Sequence, residues 1–269
     1  MNSEGDGLRV QDITDKKYPS IYADELATKA RAVLRERSLR TLPVTDKNKH
    51  LVGVITRSDI LAITSSISPI RVKGIMSTPR TVATMDMDAH DIVRKMLRLD
   101  EWYASVVRSS QDKTYIGMLG LENFIAAYLK KETSRLSTPI SRVMSTELFV
   151  CSANDEVDNV WRSMQEKSYS GCPVVTKGKL VGMLTQTNLL ESSMVFPAFE
   201  ARKGRFKAPS RISSIMKTSI ICLKPTSTVK EAAKLMLKKN IGRVPIVDDK
   251  NNLMGVVDRE DIVRTLIKY

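Results

Sequence analysis

Four short segments of this 269-residue chain repeat one set of polar residues at one spacing. They read Thr56-Arg57-Ser58-Asp59, Gly120-Leu121-Glu122-Asn123, Thr185-Gln186-Thr187-Asn188 and Asp258-Arg259-Glu260-Asp261. Each begins three residues after a glycine: Gly53, Gly117, Gly182 or Gly255. A hydroxyl or carboxylate followed three residues later by Asp or Asn is chemistry for holding a ligand. At the start of a helix such a turn leaves backbone N–H groups free and a positive dipole end exposed, which suits a phosphate or a sugar hydroxyl. An Asp or Asn there also caps a helix whatever else it does.

Little else in the chain is equipped for chemistry. Two isolated histidines, His50 and His90, offer no evident base for a nucleophile, and no Walker-type glycine loop is present. Cys151, Cys172 and Cys222 form no C-x-x-C pair and sit among apolar residues, so they are expected as small buried side chains rather than metal ligands or a disulfide framework. The expectation is a binding protein: no enzyme, no metal, no catalytic cofactor.

The elements that must hold these turns recur with them. The first three glycines lie roughly 65 residues apart, and a fixed long period marks a copied structural unit. Each unit opens on an Ile/Val-Met step (Ile75-Met76, Val143-Met144, Ile215-Met216), replaced by Ile13-Thr14 in the first. A strand follows, as in Arg80–Thr84, Leu148–Cys151 and Ile220–Leu223. Next comes an amphipathic helix. In the fourth unit Val229, Ala232, Ala233, Met236 and Leu237 share one face, and Thr228 with Glu231 forms a capping box. Then a strand carries a proline near its start (Pro43, Pro173, Pro245; Ser105 stands near that place in the second unit), a turn reverses the chain, and the glycine strand leads into the last helix. The unit is β-α-β-β-α, an α/β (α+β) fold, and at this size each copy needs a partner to complete a core.

Composition agrees with a soluble globular chain at 42% hydrophobic residues. No apolar run approaches the ~18 residues of a membrane span. The residues from Met1 to Gly7 carry no signal-peptide core, so the expectation is a cytoplasmic protein without a membrane partner. The net charge is +13, with most of the excess after residue 134, and such a balance favours polyanionic partners.

A glycine strand and G-h-h-T-x-x-D-like turn in register four times, three of them with the proline strand and three with the Ile/Val-Met opening, resemble the CBS domain, named for cystathionine β-synthase. The resemblance covers residues 10 to 267. It implies that repeats pair by pseudo-two-fold symmetry into two Bateman modules, the first with the second and the third with the fourth. The layout is similar to the gamma subunit of AMP-activated protein kinase and to stand-alone four-repeat archaeal proteins. The expected boundaries are 10–66, 70–130, 138–193 and 211–268, with a basic linker at 194–210.

The resemblance further implies a regulatory protein that binds AMP, ADP, ATP or S-adenosylmethionine in clefts between paired repeats, with a homodimer or another protein as partner. In repeat 1 the implied ligand residues are Thr56, Arg57 and Asp59, with Thr78 and Thr81 on the partner strand. Repeat 4 contributes Arg243 toward phosphate, Asp261, and Asp258 in place of threonine. Repeat 3 contributes Thr185 and Asn188. These matches rank the sites 1, 4, 3, 2. A rival reading is a nucleic-acid binder, because Arg202, Lys203, Arg205, Phe206 and Lys207 interleave an aromatic with basic residues in the linker.

Overall fold

The computed structural model describes residues 7–61, 69–131, 133–192 and 210–267. The linker residues Arg202, Lys203, Arg205, Phe206 and Lys207 lie outside them. Repeat 1 comprises α1 (Val10–Ile13), β1 (Ile21–Tyr22), α2 (Ala27–Glu36), β2 (Thr41–Thr45), β3 (Leu51–Thr56) and α3 (Arg57–Leu61). Repeat 2 comprises β4 (Val82–Thr84), α4 (Ala89–Arg98), β5 (Tyr103–Val107), β6 (Tyr115–Gly120) and α5 (Leu121–Leu129). Repeat 3 has α6 (Val157–Glu166), β7 (Gly171–Thr176), β8 (Lys179–Thr185) and α7 (Gln186–Ser192). Repeat 4 has α8 (Val229–Lys239), β9 (Arg243–Val247), β10 (Leu253–Asp258) and α9 (Arg259–Ile267).

The α/β character is as expected, and so is the amphipathic helix α8, which buries Val229, Ala232, Ala233 and Met236. Its cap is the box read from Thr228 and Glu231: the Glu231 N–H donates to Thr228, and the Thr228 N–H donates to Glu231 at 2.6 Å. Each repeat centres on an antiparallel hairpin of its proline strand with its glycine strand, such as Pro43 opposite Val54 and Pro245 opposite Val256. The first strand runs parallel to the proline strand. It is weaker than the sequence suggests. β4 keeps three residues beside Ser105, but in repeats 3 and 4 the expected strands shrink to single bridges, Cys151 to Val174 and Leu223 to Ile246. Proline has no N–H for that ladder, and the repeat without it keeps the longest strand.

The opening segments are exchanged within each module. Val72, Ile75 and Met76 pack in the core of repeat 1, and Leu8, Val10 and Ile13 pack in that of repeat 2. Repeats 3 and 4 trade Ile140, Val143 and Met144 for Ile212, Ile215 and Met216 in the same way. This exchange explains the motif glycines. A Cβ on Gly53 would stand 2.6 Å from Met76 Sδ, one on Gly182 would meet Met216 Sδ at 2.6 Å, and one on Gly255 would meet Met144 Sδ at 2.7 Å. On Gly117 it would meet the Asp15 carbonyl oxygen at 2.5 Å and Thr14 Cγ2 at 2.9 Å, so Thr14 takes the methionine's place in the irregular repeat.

Sheets thus join repeat 1 to 2, through bridges such as Val54 to Ser77, and repeat 3 to 4, through Met183 to Lys217. Helices join the two modules in another pairing. The buried residues of repeats 1 and 3 form one core, and those of repeats 2 and 4 form the other. Burying these helix faces drives the assembly, because no single repeat covers its own apolar surface. Cys151 and Cys172 are buried in the first core with their sulfurs 3.5 Å apart as free thiols, while Cys222 is half-buried. Among the described residues no helix is long and apolar enough to cross a membrane, and no cluster of His, Cys, Asp or Glu is arranged for a metal.

Candidate ligand cavities at the module interface

In every repeat the fourth residue of the polar turn folds back on the first. The Thr56 N–H and hydroxyl donate to Asp59 Oδ2 at 2.6 and 2.7 Å. The Thr185 N–H and hydroxyl donate to Asn188 Oδ1 at 3.0 and 2.7 Å. The Gly120 N–H donates to Asn123 Oδ1 at 2.7 Å, and the Asp258 N–H to Asp261 Oδ2 at 2.9 Å. One oxygen of each Asp or Asn is therefore engaged in shaping the turn.

The second and third residues of the turns point across the module interface. Arg57 is only 7% exposed. Its guanidinium donates to the Leu39 and Ser38 carbonyls at 2.6 and 2.7 Å and to Thr187 Oγ1 at 2.6 Å. Gln186 returns the contact, donating to Ser58 Oγ at 3.0 Å. On the other side of the interface Arg259 donates to Glu122 Oε2 at 2.9 Å and to Asn240 Oδ1 at 3.4 Å. Arg57, expected to face the ligand of its own repeat, instead ties repeat 1 to repeat 3.

Arg40 completes this basic centre. Helix α2 ends at Glu36, and Ser38 adopts the left-handed conformation at φ 53° and turns the chain toward β2. The Arg40 guanidinium lies 4.3 Å from the Trp102 ring centre and donates to Ser170 Oγ at 3.4 Å. Burial lowers its pKa to about 10, aided by the charges of Arg259, Arg57 and Arg243 and opposed by Tyr103. Burial also raises the Tyr103 hydroxyl to about 12, with Glu122 adding to it.

Three cavities open around this centre. The first, of 320 Å³, holds Thr185 and Asn188 of repeat 3. Its facing wall is Ser219, Ile220 and Ile221 from the opening of repeat 4. Arg40, Arg57, Lys217, Lys239, Arg243 and Arg259 line it, against the single carboxylate of Glu191. The second, of 670 Å³, brings together Thr56, Thr78 and Thr81, with Lys167, Tyr169 and Gln186 of repeat 3 on its far side. Its charges balance: Arg40, Arg80, Lys167 and Arg243 face Asp100, Glu101, Asp258 and Glu260. The third, of 130 Å³, lies beside Asp258 and Asp261, with Arg243, Glu147 and the stacked rings of Phe149 and Tyr169. Burial first, and then the Asp258 carboxylate, push Asp261 up to about 7.

The sequence ranking of these sites therefore differs from their electrostatic order. The repeat 3 cavity, placed third by motif match, has the largest excess of cationic over carboxylate lining residues of the three, because its arginines come from repeats 1 and 4. Tyr103, Lys217, Lys239 and Arg259 line the repeat 3 cavity although the motifs do not point to them as ligand residues. The Arg shared by Thr56-Arg57 and Asp258-Arg259 is a signal for Arg259 alone.

Comparison with known proteins agrees with this architecture. The family model for the CBS domain matches residues 10–65, 140–194 and 212–268. The protein MJ1225 of Methanocaldococcus jannaschii is 25% identical over 279 residues, spanning 96% of this chain and 98% of its own. Its crystal structure, presented as that of a candidate archaeal homologue of g-AMPK, superimposes with a TM-score of 0.84 at 23% identity, covering 96% and 100% of the two chains. A conserved protein of Pyrococcus horikoshii follows the same fold, with a TM-score of 0.66 at 21% identity over 96% of this chain and 100% of its own. Repeat 2, which lacks the proline and the threonine of the turn, is the repeat that the family model leaves unmatched.

Proposed function

The chain belongs to the CBS-domain family, and we propose that it is a non-catalytic regulatory protein that senses an adenine nucleotide (AMP, ADP or ATP) in the clefts between paired repeats. One observation carries this reading. Six cationic side chains from repeats 1 and 4 converge on the cavity of Thr185 and Asn188 against one lining carboxylate. Arg243 and Arg259 pair with Asp258 and Glu122 outside the lining, whereas neither Arg40 nor Arg57 has an ion-pair partner among the described residues. Buried guanidinium groups without carboxylate partners favour a polyanion, and phosphate offers the planar guanidinium its preferred two-point partner. Met183, Ile220, Ile221 and Pro245 supply apolar surface for a base at the other end. Asn188, with Oδ1 held by Thr185, keeps its amide N–H groups to donate to ribose or phosphate oxygens.

Because the cavity draws its walls from both modules, a bound nucleotide holds them together, and differential affinity for two module arrangements is what a regulator needs. The likeness to MJ1225, whose structure is presented as that of a candidate archaeal homologue of g-AMPK, supports a partner protein as the reader of that change. The repeat 1 cavity with Thr56, Thr78 and Thr81, and the repeat 4 cavity with Asp258 and Asp261, hold the same motif positions without that excess of cations.

Calorimetric titration of the full chain with AMP, ADP, ATP and S-adenosylmethionine tests it. ATP binding that weakens by about 1.5–3 kcal/mol in Lys217→Ala, with little change for adenosine, is the expected outcome. No measurable binding of any of the four ligands would refute the proposal.

A further inference from the structure

The largest of these three cavities is built differently from the one beside Thr185. The proline strand that faces each cavity carries Pro245 at the repeat 3 site and Pro173 at the repeat 4 site, but Ser105 at the repeat 1 site. Ser105 and Thr81 are each 2% exposed, line the 670 Å³ cavity, and leave their hydroxyl oxygens without a hydrogen-bond partner among the described residues. Glu101 reaches Arg80 through Oε1 at 3.4 Å, while its buried Oε2 is also unpartnered. Orphaned buried polar atoms cost free energy, and three lining one cavity are the complement of a ligand that presents both donors and acceptors.

In this cavity four lining carboxylates offset the four cationic groups. Arg80 pairs with Glu101, Arg243 with Asp258 at 3.3 Å, Arg40 stacks on Trp102, and Lys167 lies 5.3 Å from the Phe149 ring centre. This balance gives phosphate no advantage. Trp102, Tyr103 and Tyr169 offer ring surface to a heterocycle. We propose that the cavity between Thr56, Thr81 and Ser105 binds an uncharged nucleoside, recognised by the free hydroxyls of Thr81 and Ser105 and the free Glu101 oxygen, while nucleotides go to the repeat 3 cavity. The inference rests on the reading of the chain as a sensor of nucleoside-containing ligands, and it adds a second site that selects against phosphate.

The test is calorimetry of the full chain with adenosine and, separately, ATP, at low and at physiological salt. Adenosine binding is expected to be nearly independent of salt, whereas ATP binding weakens as salt rises. The double variant Thr81→Val/Ser105→Ala is expected to lose about tenfold or more in adenosine affinity and to bind ATP as the wild type does. Glu101→Gln gives a second reading that leaves the strand intact, and it is expected to weaken adenosine alone. The proposal is overturned if adenosine does not bind, if the variants bind it unchanged, or if they lose adenosine and ATP together. If adenosine binds as described and ATP does not bind at all, the nucleotide reading of the repeat 3 cavity fails while this one stands.

Discussion

Asp258 lies opposite Arg243 in the β9–β10 ladder, and its Oδ2 is 3.3 Å from the guanidinium. Sequence reading sets this carboxylate against a phosphate at the position of the family's threonine. The structure makes it the cross-strand partner of the basic residue meant to reach that phosphate. Arg243 also donates to the Gly171 carbonyl of repeat 3, so one side chain joins the hairpins of two repeats and borders all three cavities.

Freeing that guanidinium should change which sites accept anions. In Asp258→Thr the repeat 4 cavity loses a carboxylate and gains an unpaired Arg243. Titration with ATP is expected to show an additional binding event per chain relative to wild type. An unchanged stoichiometry and affinity would mean that Arg243 does not govern anion binding there.

The acidic pair has a consequence for pH. Asp261 is raised from 3.8 to about 7, first by burial and then by Asp258. An acid whose folded pKa exceeds its unfolded value stabilises the fold below the unfolded pKa and loses that contribution as pH rises through the folded one. Stability should therefore decline between about pH 4 and pH 7 on account of this group. Asp261→Asn, which keeps an acceptor for the Asp258 N–H, should flatten that decline in urea midpoints measured at pH 4.5, 6 and 7.5 (about the window that linkage sets). A slope that survives the substitution places its origin elsewhere.

Arg57 is predicted to act through the interface between modules. Its replacement by alanine strands the Ser38 and Leu39 carbonyls and removes the bond to Thr187. The loss should be about 3 kcal/mol in chemical unfolding, in line with hydrogen bonds to a charged group. Arg57→Lys should recover little of it, since an ammonium cannot reach three acceptors from one planar fork. A fully stable Arg57→Ala would remove Arg57 from this role.

The motif glycines offer a graded series. Gly117→Ala would press a Cβ against the backbone oxygen of Asp15, whereas Gly53→Ala would meet mainly the flexible end of Met76. Both should destabilise, Gly117→Ala more, with overpacking costs of about 1–3 kcal/mol. Met76→Ala should offset part of the Gly53→Ala loss, giving a non-additive pair in a double-mutant cycle. Additive losses would show that the two side chains do not compete for the same space.

Much of this protein is written locally in the chain. The ~65-residue period, the hairpin strands, the capping box of Thr228 and Glu231, and the polar turns from Thr56 to Asp261 follow from short-range spacing, because period and capping depend on residues within a few positions of one another. The family's glycine strand and proline strand are likewise local. Even the Ile/Val-Met step was visible, though not its purpose, since the space it fills beside Gly53 belongs to the other repeat of the module.

What only the tertiary structure decided is which repeats share walls. Arg40 and Arg57 of repeat 1, Lys217, Lys239, Arg243 and Arg259 converge on Thr185, whose own repeat supplies none of them. The orphaned hydroxyls of Thr81 and Ser105 likewise acquire meaning only when their strands close a cavity against repeats 1 and 3. A sequence ranks each turn by its own residues. The field inside a cavity is set by charges brought within a few ångströms by helix faces packing repeat 1 on 3 and repeat 2 on 4, and burial strengthens that field by excluding water.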